Sequence, residues 1–301
     1  MQVENQYVEL PLLREKKVVL AIKREDLIHP LVSGNKYRKL KYNLLNAKES
    51  GYAKILTFGG AFSNHIAAVS AAAKNANLEA IGIIRGEELV HTWHENHTLK
   101  RAFENGMRFK FVSREMYRKR NEPELLHSLR NEFGDFYPIP EGGTNDLAIK
   151  GCEEILVAAD REFDFISVCV GTGGTMAGLV NASGNNQQVL GFPVLKGDFL
   201  SAEIKKLSAK ENWSMNPKYH FGGYAKINEE LVHFINRFKQ QTGIALDPVY
   251  TGKMMYGLLD MVKNDNFARG TRILAIHTGG LQGIYGMNQV LRKKNLPLLD
   301  I

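Results

Sequence analysis

Short apolar segments alternate with amphipathic segments along almost the whole chain, and this alternation limits the folds open to it. Strands separated by helices favour parallel sheets with helices on both faces. The segments predicted as strands are residues 18–24, 54–58, 80–85, 108–112, 136–140, 165–170, 189–192 and 272–277. We therefore expect an α/β protein with mostly parallel sheets.

The segments between these strands have the spacing of helices. In the segment 146–159, one helical stripe carries Ala148, Cys152, Ile155, Leu156 and Ala159. The predicted helices are residues 36–49, 64–75, 95–104, 146–159, 175–182, 228–241, 253–262 and 280–292. No repeat or linker divides the chain, so we expect any second domain to be inserted into the first.

Composition and length are those of a soluble globular protein. The 301 residues suffice for a sizeable core, with 44% hydrophobic and 24% charged residues. No run of 18 apolar residues predicts a membrane span, and the first residues do not resemble a secretory signal. Cys152 and Cys169 are the two cysteines, and their spacing matches no metal motif. We expect both to pack in the core of a cytoplasmic protein without a metal site.

The chain carries a net charge of +7, and its segment 100–120 is notably basic. No basic motif interleaved with aromatic residues accompanies this charge, so we expect a solvated face and no nucleic-acid binding. A mild positive field would help to gather an anionic substrate and a phosphorylated cofactor.

Three glycine-rich turns follow predicted strands, at residues 59–65, 171–175 and 278–281. Ligands of open α/β sheets bind at the carboxyl ends of strands, and helix N-termini attract anions. The turn 171–175 lacks both the Walker lysine and the dinucleotide spacing, and no acid ends the next strand to hold a ribose. The three turns together predict one composite site with a cup for a monophosphate.

Lys36 lies at the start of the first predicted helix, after the Gly34-Asn35 pair. A lysine amine and a monophosphate cup are what an enzyme using pyridoxal phosphate needs, since the lysine forms a Schiff base with the cofactor aldehyde. Lys36 by itself also fits a solvated helix surface, which is where we expect Lys39 and Lys41. A NAD-linked dehydrogenase is a remote alternative.

Other candidate residues have structural explanations as well. Ser63 and Asn64 fit a helix N-cap, a role compatible with contacting a ligand in the same turn. His65 follows them, but the turn lacks the G-x-S-x-G spacing of a hydrolase. Tyr250 and Tyr224 fit either packing or a site.

Together these motifs resemble those of the D-cysteine desulfhydrase / 1-aminocyclopropane-1-carboxylate (ACC) deaminase family, pyridoxal-phosphate enzymes of the tryptophan-synthase β type. The resemblance runs from Lys23 to Gly280. Its most specific segments are residues 34–40, 63–65, 141–145 and 247–253.

The resemblance implies roles for individual residues. Lys36 would be the Schiff-base lysine, and Asn64 would bond the 3-hydroxyl of the cofactor ring. Ser63 would lie beside the substrate carboxylate, in a substrate-binding segment shared with Asn64 and His65. The remaining implied site residues are the phosphate loop Gly171, Thr172, Gly173, Gly174 and Thr175, the active-site tyrosines Tyr250 and Tyr224, and Thr278 or Thr251 near the pyridine nitrogen.

The resemblance also implies a fold. This fold has two three-layer α/β domains, known as PLP fold type II. A larger domain would combine residues 1–36 with 146–301, a smaller domain would span 37–145, and the cofactor would lie between them. Homodimers are usual in such enzymes.

Two reactions are implied for a small amino-acid substrate. One is β-elimination from D-cysteine, giving pyruvate, ammonia and sulfide, and the other converts ACC to 2-oxobutyrate and ammonia. Members that open ACC resemble one another in carrying Tyr-Glu where this chain has Tyr250-Thr251. A threonine keeps the pyridine nitrogen protonated less well than a carboxylate, which favours β-elimination. A cofactor-binding protein without lyase activity, and a racemase or deaminase for another amino acid, remain alternatives.

Overall fold

Two β-sheets form the framework of the protein, in a computed structural model that describes residues 3–32, 34–197 and 199–300. The strands are β1 (Asn5–Val8), β2 (Val19–Lys23), β3 (Lys54–Gly60), β4 (Glu79–Arg85), β5 (Met107–Val112), β6 (Tyr137–Ile139), β7 (Phe165–Val170), β8 (Gln188–Pro193), β9 (Trp213–Met215) and β10 (Arg272–Ile276). One sheet has the order β1-β2-β10-β7-β8-β9 and the other β5-β4-β3-β6. Among these pairs β1 and β2 run antiparallel and the others parallel. The expected α/β class with mostly parallel sheets is confirmed.

Helices connect the strands. They are α1 (Pro11–Lys16), α2 (Asn35–Glu49), α3 (Asn64–Ala76), α4 (His97–Glu104), α5 (Arg114–Arg118), α6 (Pro123–Phe133), α7 (Asp146–Glu153), α8 (Gly174–Ala182), α9 (Phe199–Leu207), α10 (Glu229–Thr242), α11 (Thr251–Lys263) and α12 (Gly283–Lys293). Side-chain caps start several of them: Ser63 accepts a hydrogen bond from Ile66 N, and Asn145 accepts one from Ala148 N. No helix in the described ranges combines the length and apolar composition needed to cross a membrane.

The helix predicted over 146–159 is shorter than expected. α7 ends at Glu153, and a separate 3₁₀ turn covers Ala158–Glu162. The Asp160 carboxylate accepts a hydrogen bond from Val157 N, at 2.8 Å, which starts this new turn and stops the first helix from continuing. Cys152 remains on the buried face of α7, and both cysteines are buried as expected.

Each sheet separates two apolar layers. In β10, Ile273 and Ala275 pack with α10, α11 and α12, whereas Leu274 and Ile276 pack with α7, α8 and α9. This alternation follows from side chains pointing to opposite faces of a strand. The smaller sheet is covered likewise, by α2, α3 and α4 on one face and by α5 and α6 on the other. Strands β3 to β6 fall within residues 37–145, while the domain boundaries themselves stay a prediction.

Two glycines allow other segments of the chain to pack closely against the start of α2. A Cβ on Gly34 would lie 1.8 Å from the carbonyl oxygen of Thr278, and Gly34 has a φ of 65°. A Cβ on Gly151 in α7 would lie 2.0 Å from the carbonyl oxygen of Arg38. The start of α2 is thereby placed against the end of β10 and against α7.

Candidate active site

The site forms where the first turn of α2 meets the turns after β7 and β10. Asn35 connects all three, because its backbone N–H donates to the Thr278 carbonyl at 3.3 Å and its Nδ2 donates to Thr175 Oγ1 at 2.8 Å. Lys36 is the next residue of the helix. Two of the three glycine-rich turns predicted to form one site, 171–175 and 278–281, therefore both contact the start of α2.

Lys36 as a whole residue is partly buried, and its amine lies 3.4 Å from Asn35 Oδ1. Burial lowers the pKa of this amine, and the negative charge of Asp247 opposes the shift only in part. A lowered pKa increases the fraction of neutral amine, which is the nucleophilic form. The lysine identified from sequence therefore has the electrostatic surroundings of a reactive group.

A buried ion pair fixes the helix turn that carries Lys36. Arg38 binds Glu25 through two bonds, Nε–Oε2 at 2.9 Å and Nη2–Oε1 at 2.8 Å. Both side chains are almost fully buried, and the pair raises the pKa of Arg38. The bidentate geometry restricts rotation of α2 about its own axis.

The turn 171–175 has free donors for an anion. Gly173 is left-handed, with a φ of 84°, and the first bond of α8 runs from Ala177 N to Gly173 O. The N–H groups of Gly174, Thr175 and Met176 therefore precede the intrahelical ladder, at the positive end of the helix dipole. These donors and the Lys36 amine fit a pyridoxal phosphate with its phosphate on the turn and its aldehyde toward the lysine.

Lys39 is buried, which contradicts the expectation of a solvated side chain. It is 2% exposed, and its Nζ donates to the Gly142 carbonyl at 3.1 Å, Thr144 Oγ1 at 3.0 Å and Thr172 Oγ1 at 3.4 Å. Burial and the neighbouring charge of Lys36 lower its pKa to about 7. Lys39 thus joins the turn 171–175 to residues 142–144, whereas Lys41 is exposed as expected.

The Ser63-Asn64-His65 segment begins α3. Ser63 Oγ caps the helix by accepting from Ile66 N at 3.3 Å. Asn64 Oδ1 accepts a hydrogen bond from Gln282 Nε2 at 3.0 Å. This bond orients the side chain and leaves Asn64 Nδ2 available to donate to a ligand. Gln282 could not be found from sequence motifs, because its partner Asn64 lies in a different part of the chain.

His65 is buried and holds one proton on its ring. Thr57 donates its hydroxyl hydrogen to the Ile139 carbonyl, at 2.9 Å, so it accepts from His65 Nε2 at 2.8 Å. Nδ1 has no hydrogen-bond partner among the described residues. Burial, followed by the charges of Lys36 and Lys39, lowers the histidine pKa well below its usual value. His65 is therefore neutral, and its contact with substrate stays a prediction.

Tyr250 and Tyr224 face each other, with ring centroids 6.1 Å apart and planes at 70°. A Cβ on Gly171 would lie 3.2 Å from Tyr250 Cε1, so glycine makes room for this ring beside the turn 171–175. Burial and then Tyr224 raise the pKa of Tyr250 well above its usual value. Desolvation also raises the pKa of the Tyr224 phenol, although 44% of the residue as a whole is exposed. Both phenols therefore keep their protons at neutral pH.

The two threonines proposed for the pyridine nitrogen differ in their bonding. Thr251 is fully buried, and its hydroxyl donates to Asp247 Oδ1 at 2.9 Å. Its single proton is thus committed to a carboxylate. Thr278 Oγ1 lies 3.0 Å from Cys169 Sγ, where either atom can be the donor. Of the two hydroxyls, that of Thr278 is free to turn toward a ligand.

Lys253 supports the loop that carries Tyr224. Its Nζ donates to the His220 carbonyl at 2.9 Å and to the Gly223 carbonyl at 2.8 Å. Burial lowers the pKa of Lys253 to about 8. The sequence placed Lys253 in a motif with Tyr250, but its carbonyl partners become visible only in the fold.

Two curated enzymes are similar to this chain in sequence. The chain is 32% identical, over 293 residues, to the mitochondrial bifunctional D-cysteine desulfhydrase/1-aminocyclopropane-1-carboxylate deaminase of Arabidopsis thaliana, covering 88% of this chain and 73% of the relative. It is 28% identical to the 1-aminocyclopropane-1-carboxylate deaminase of Ralstonia pickettii, covering 92% and 90%.

Solved structures show the same relationship. A crystal structure of an ACC deaminase homologue superposes with a TM-score of 0.82 at 30% identity, covering 97% of this chain and 94% of the other. The pattern shared by pyridoxal-phosphate dependent enzymes matches residues 3–279. This match over nearly the whole length of the chain makes the protein a member of the pyridoxal-phosphate dependent enzyme family.

Proposed function

We propose that the protein is a lyase that removes the β-substituent of a small D-amino acid, as in the conversion of D-cysteine to pyruvate, ammonia and sulfide. Lys36 Nζ takes the α-proton of the substrate, and Ser63 and Asn64 bind its carboxylate. Pyridoxal phosphate, when bound, supplies the electron sink that makes this proton acidic. The neutral phenols of Tyr250, which packs beside Gly171, and of Tyr224 would provide protons.

The observation that carries the proposal is the lowered pKa of the Lys36 amine next to the turn 171–175. A lowered pKa increases the fraction of the neutral amine, which is the form that accepts a proton. Thr278 completes the set of residues that we assign to the cofactor, near its pyridine nitrogen.

Residue 251 favours elimination over ring opening. The Thr251 hydroxyl donates to Asp247 and supplies no carboxylate to the cofactor nitrogen. A weaker electron sink suffices for a substrate with an acidic α-proton, whereas ACC has none. ACC deamination is the second candidate, because relatives carry that name.

Cofactor binding tests whether Lys36 is the residue that reacts with pyridoxal phosphate, on which the proposal depends. Purified protein with added pyridoxal phosphate is expected to show a visible absorption band that borohydride treatment fixes to the chain and that Lys36→Ala abolishes. Lys41→Ala is the matched control, because Lys41 lies on the same helix with an exposed side chain. A band that persists in Lys36→Ala contradicts the assignment of Lys36.

A substrate panel separates the candidates. We expect pyruvate from D-cysteine and β-chloro-D-alanine and no 2-oxobutyrate from ACC. The reverse pattern favours the deaminase. Cofactor binding without keto-acid release from any of the three would mean that the protein is not a lyase of this type.

We also propose the domain division 37–145 within 1–36 and 146–301, a homodimer, and a cytoplasmic location. Membership of the enzyme family supports these proposals. Light scattering after gel filtration tests the dimer, which would have twice the mass of the chain.

A further inference from the structure

A pocket of about 520 Å³ adjoins the segment that leads into Ser63. It is lined by the turn 60–62, by Tyr117 and Glu141, and by four arginines, Arg85, Arg114, Arg118 and Arg120. Its volume is within the range of small-molecule sites. The proposed function leaves this pocket without a role.

The pocket carries an excess of positive charge. Glu141 accepts from the Tyr117 hydroxyl at 2.7 Å and binds Arg120 Nε at 2.8 Å, so this carboxylate balances one arginine. Among the described residues, Arg85 and Arg118 have no carboxylate partner. An open pocket with unbalanced guanidinium groups favours an anion.

Tyr117 holds two of the arginines in place. Its ring is buried, and the guanidinium carbons of Arg85 and Arg120 lie 5.6 and 5.3 Å from the ring centroid. Such cation–π contacts orient planar guanidinium groups before a ligand arrives. Guanidinium groups fixed in this way suit the paired oxygens of a carboxylate.

The pocket is next to the active site. Its turn 60–62 precedes Ser63, and Glu141 precedes Gly142, whose carbonyl binds Lys39. The charges of Arg85 and Glu141 both act on the Tyr224 phenol, Glu141 raising its pKa and Arg85 lowering it. The wall of the pocket therefore continues along the chain into Ser63, which we assign to the substrate.

We infer that this pocket binds a carboxylate at the far end of the substrate β-substituent, with Arg85 as the main contact. The inference rests on the proposed β-elimination and names its substrate class: D-cysteine thioethers that end in a carboxylate. In the reaction the C–S bond breaks, the thiolate takes up a proton, and water completes the release of pyruvate and ammonia. The balance is R–S–CH₂–CH(NH₃⁺)–COO⁻ with water giving R–SH, pyruvate and ammonium.

A matched pair of substrates tests the inference on the holoenzyme. S-carboxymethyl-D-cysteine and S-(2-hydroxyethyl)-D-cysteine differ at the far end mainly in charge. We expect a kcat/KM about tenfold higher for the carboxymethyl compound, the size of one charge-assisted hydrogen bond, expressed mainly in KM. Rising salt should reduce this preference.

Substitution of Arg85 tests whether this residue causes the preference for the carboxymethyl compound. Arg85→Gln is expected to bring the kcat/KM ratio of the two substrates close to one. Arg108→Gln is the matched control, because Arg108 lies on the neighbouring strand with its guanidinium carbon also 5.6 Å from an aromatic ring centroid, that of Phe133. It should keep the wild-type ratio.

Equal kcat/KM values in the wild type, or a preference that survives Arg85→Gln, overturn the inference and leave the lyase proposal standing. Absence of pyruvate from both thioethers and from β-chloro-D-alanine contradicts the lyase proposal. Calorimetric binding of the thioether pair then decides the inference: tighter binding of the carboxymethyl compound, lost in Arg85→Gln, supports it, and equal binding refutes it.

Discussion

The hydroxyl of Thr251 donates a hydrogen bond to the buried carboxylate of Asp247, with 2.9 Å between Oγ1 and Oδ1. The same carboxylate accepts from the backbone N–H groups of Thr251, Val249 and Tyr250, at 2.7, 3.0 and 3.1 Å. Asp247 therefore holds the start of α11 and, with it, the backbone of Tyr250. Residue 251 is part of the support of the site, in addition to its proposed effect on substrate choice.

Replacing Thr251 by valine should destabilise the protein by about 1–3 kcal/mol, because the buried Asp247 carboxylate loses a donor that no water replaces. Urea unfolding measures this change. Thr251→Ser, which keeps the hydroxyl, should cost clearly less. If Thr251→Val is as stable as the wild type, the bond to Asp247 contributes nothing to the start of α11.

Gly34→Ala should destabilise the protein and weaken cofactor binding, because its Cβ would overlap the Thr278 carbonyl at 1.8 Å. Gly51→Ala is the matched control: it has a similar positive φ, of 76°, with no atom within 4 Å of the added Cβ. In Gly51→Ala the only expected cost is that of placing alanine in a left-handed backbone conformation, about 1–2 kcal/mol. Thermal unfolding and the visible cofactor band compare the two variants. Equal losses would mean that the close approach of α2 to β10 is unimportant.

The sequence was sufficient to predict the parallel α/β fold, because buried strands such as β7 are apolar at nearly every position. It missed β1 and β9, which lie at the two edges of their sheet and are short. It also missed α1, α5, α6 and α9. Edge strands are stabilised by a single neighbour, so their residues need not be apolar on both faces.

The candidate site was predictable where residues are adjacent in the chain. Lys36, the turn 171–175 and Ser63-Asn64 were found from local motifs. Burial of Lys39 was not, because its acceptors at 142–144 and 172 are more than a hundred residues away. The charge of a lysine predicts a solvated side chain until the fold brings carbonyls and hydroxyls around it.

Lys253→Met should loosen the loop that carries Tyr224, because the two bonds from Nζ to the His220 and Gly223 carbonyls are lost. We expect faster hydrogen exchange in residues 220–225 and a lower kcat, with the cofactor band retained. Lys263→Met, at the exposed C-terminal end of the same helix, should change neither quantity. Unchanged hydrogen exchange in Lys253→Met would mean that the bonds from Lys253 do not hold this loop in place.

The buried amine of Lys39 should make stability depend on pH. Its pKa is lowered from 10.5 to about 7 in the folded protein. Between these values the unfolded chain carries a proton on Lys39 that the folded chain has lost. Stability rises with pH wherever the unfolded state binds more protons, so the contribution of Lys39 should become more favourable as pH rises through this window.

Lys39→Met removes this titration while keeping an unbranched side chain. The free energy of unfolding of the wild type, minus that of Lys39→Met, should increase by ~1 kcal/mol or more between about pH 7 and about pH 9. Taking the difference cancels the titrating groups that do not interact with Lys39. Lys41→Met, on the exposed face of α2, should show no such increase. A difference that stays constant or falls over this range would mean that Lys39 keeps its proton in the folded protein, as a charged donor to Gly142, Thr144 and Thr172.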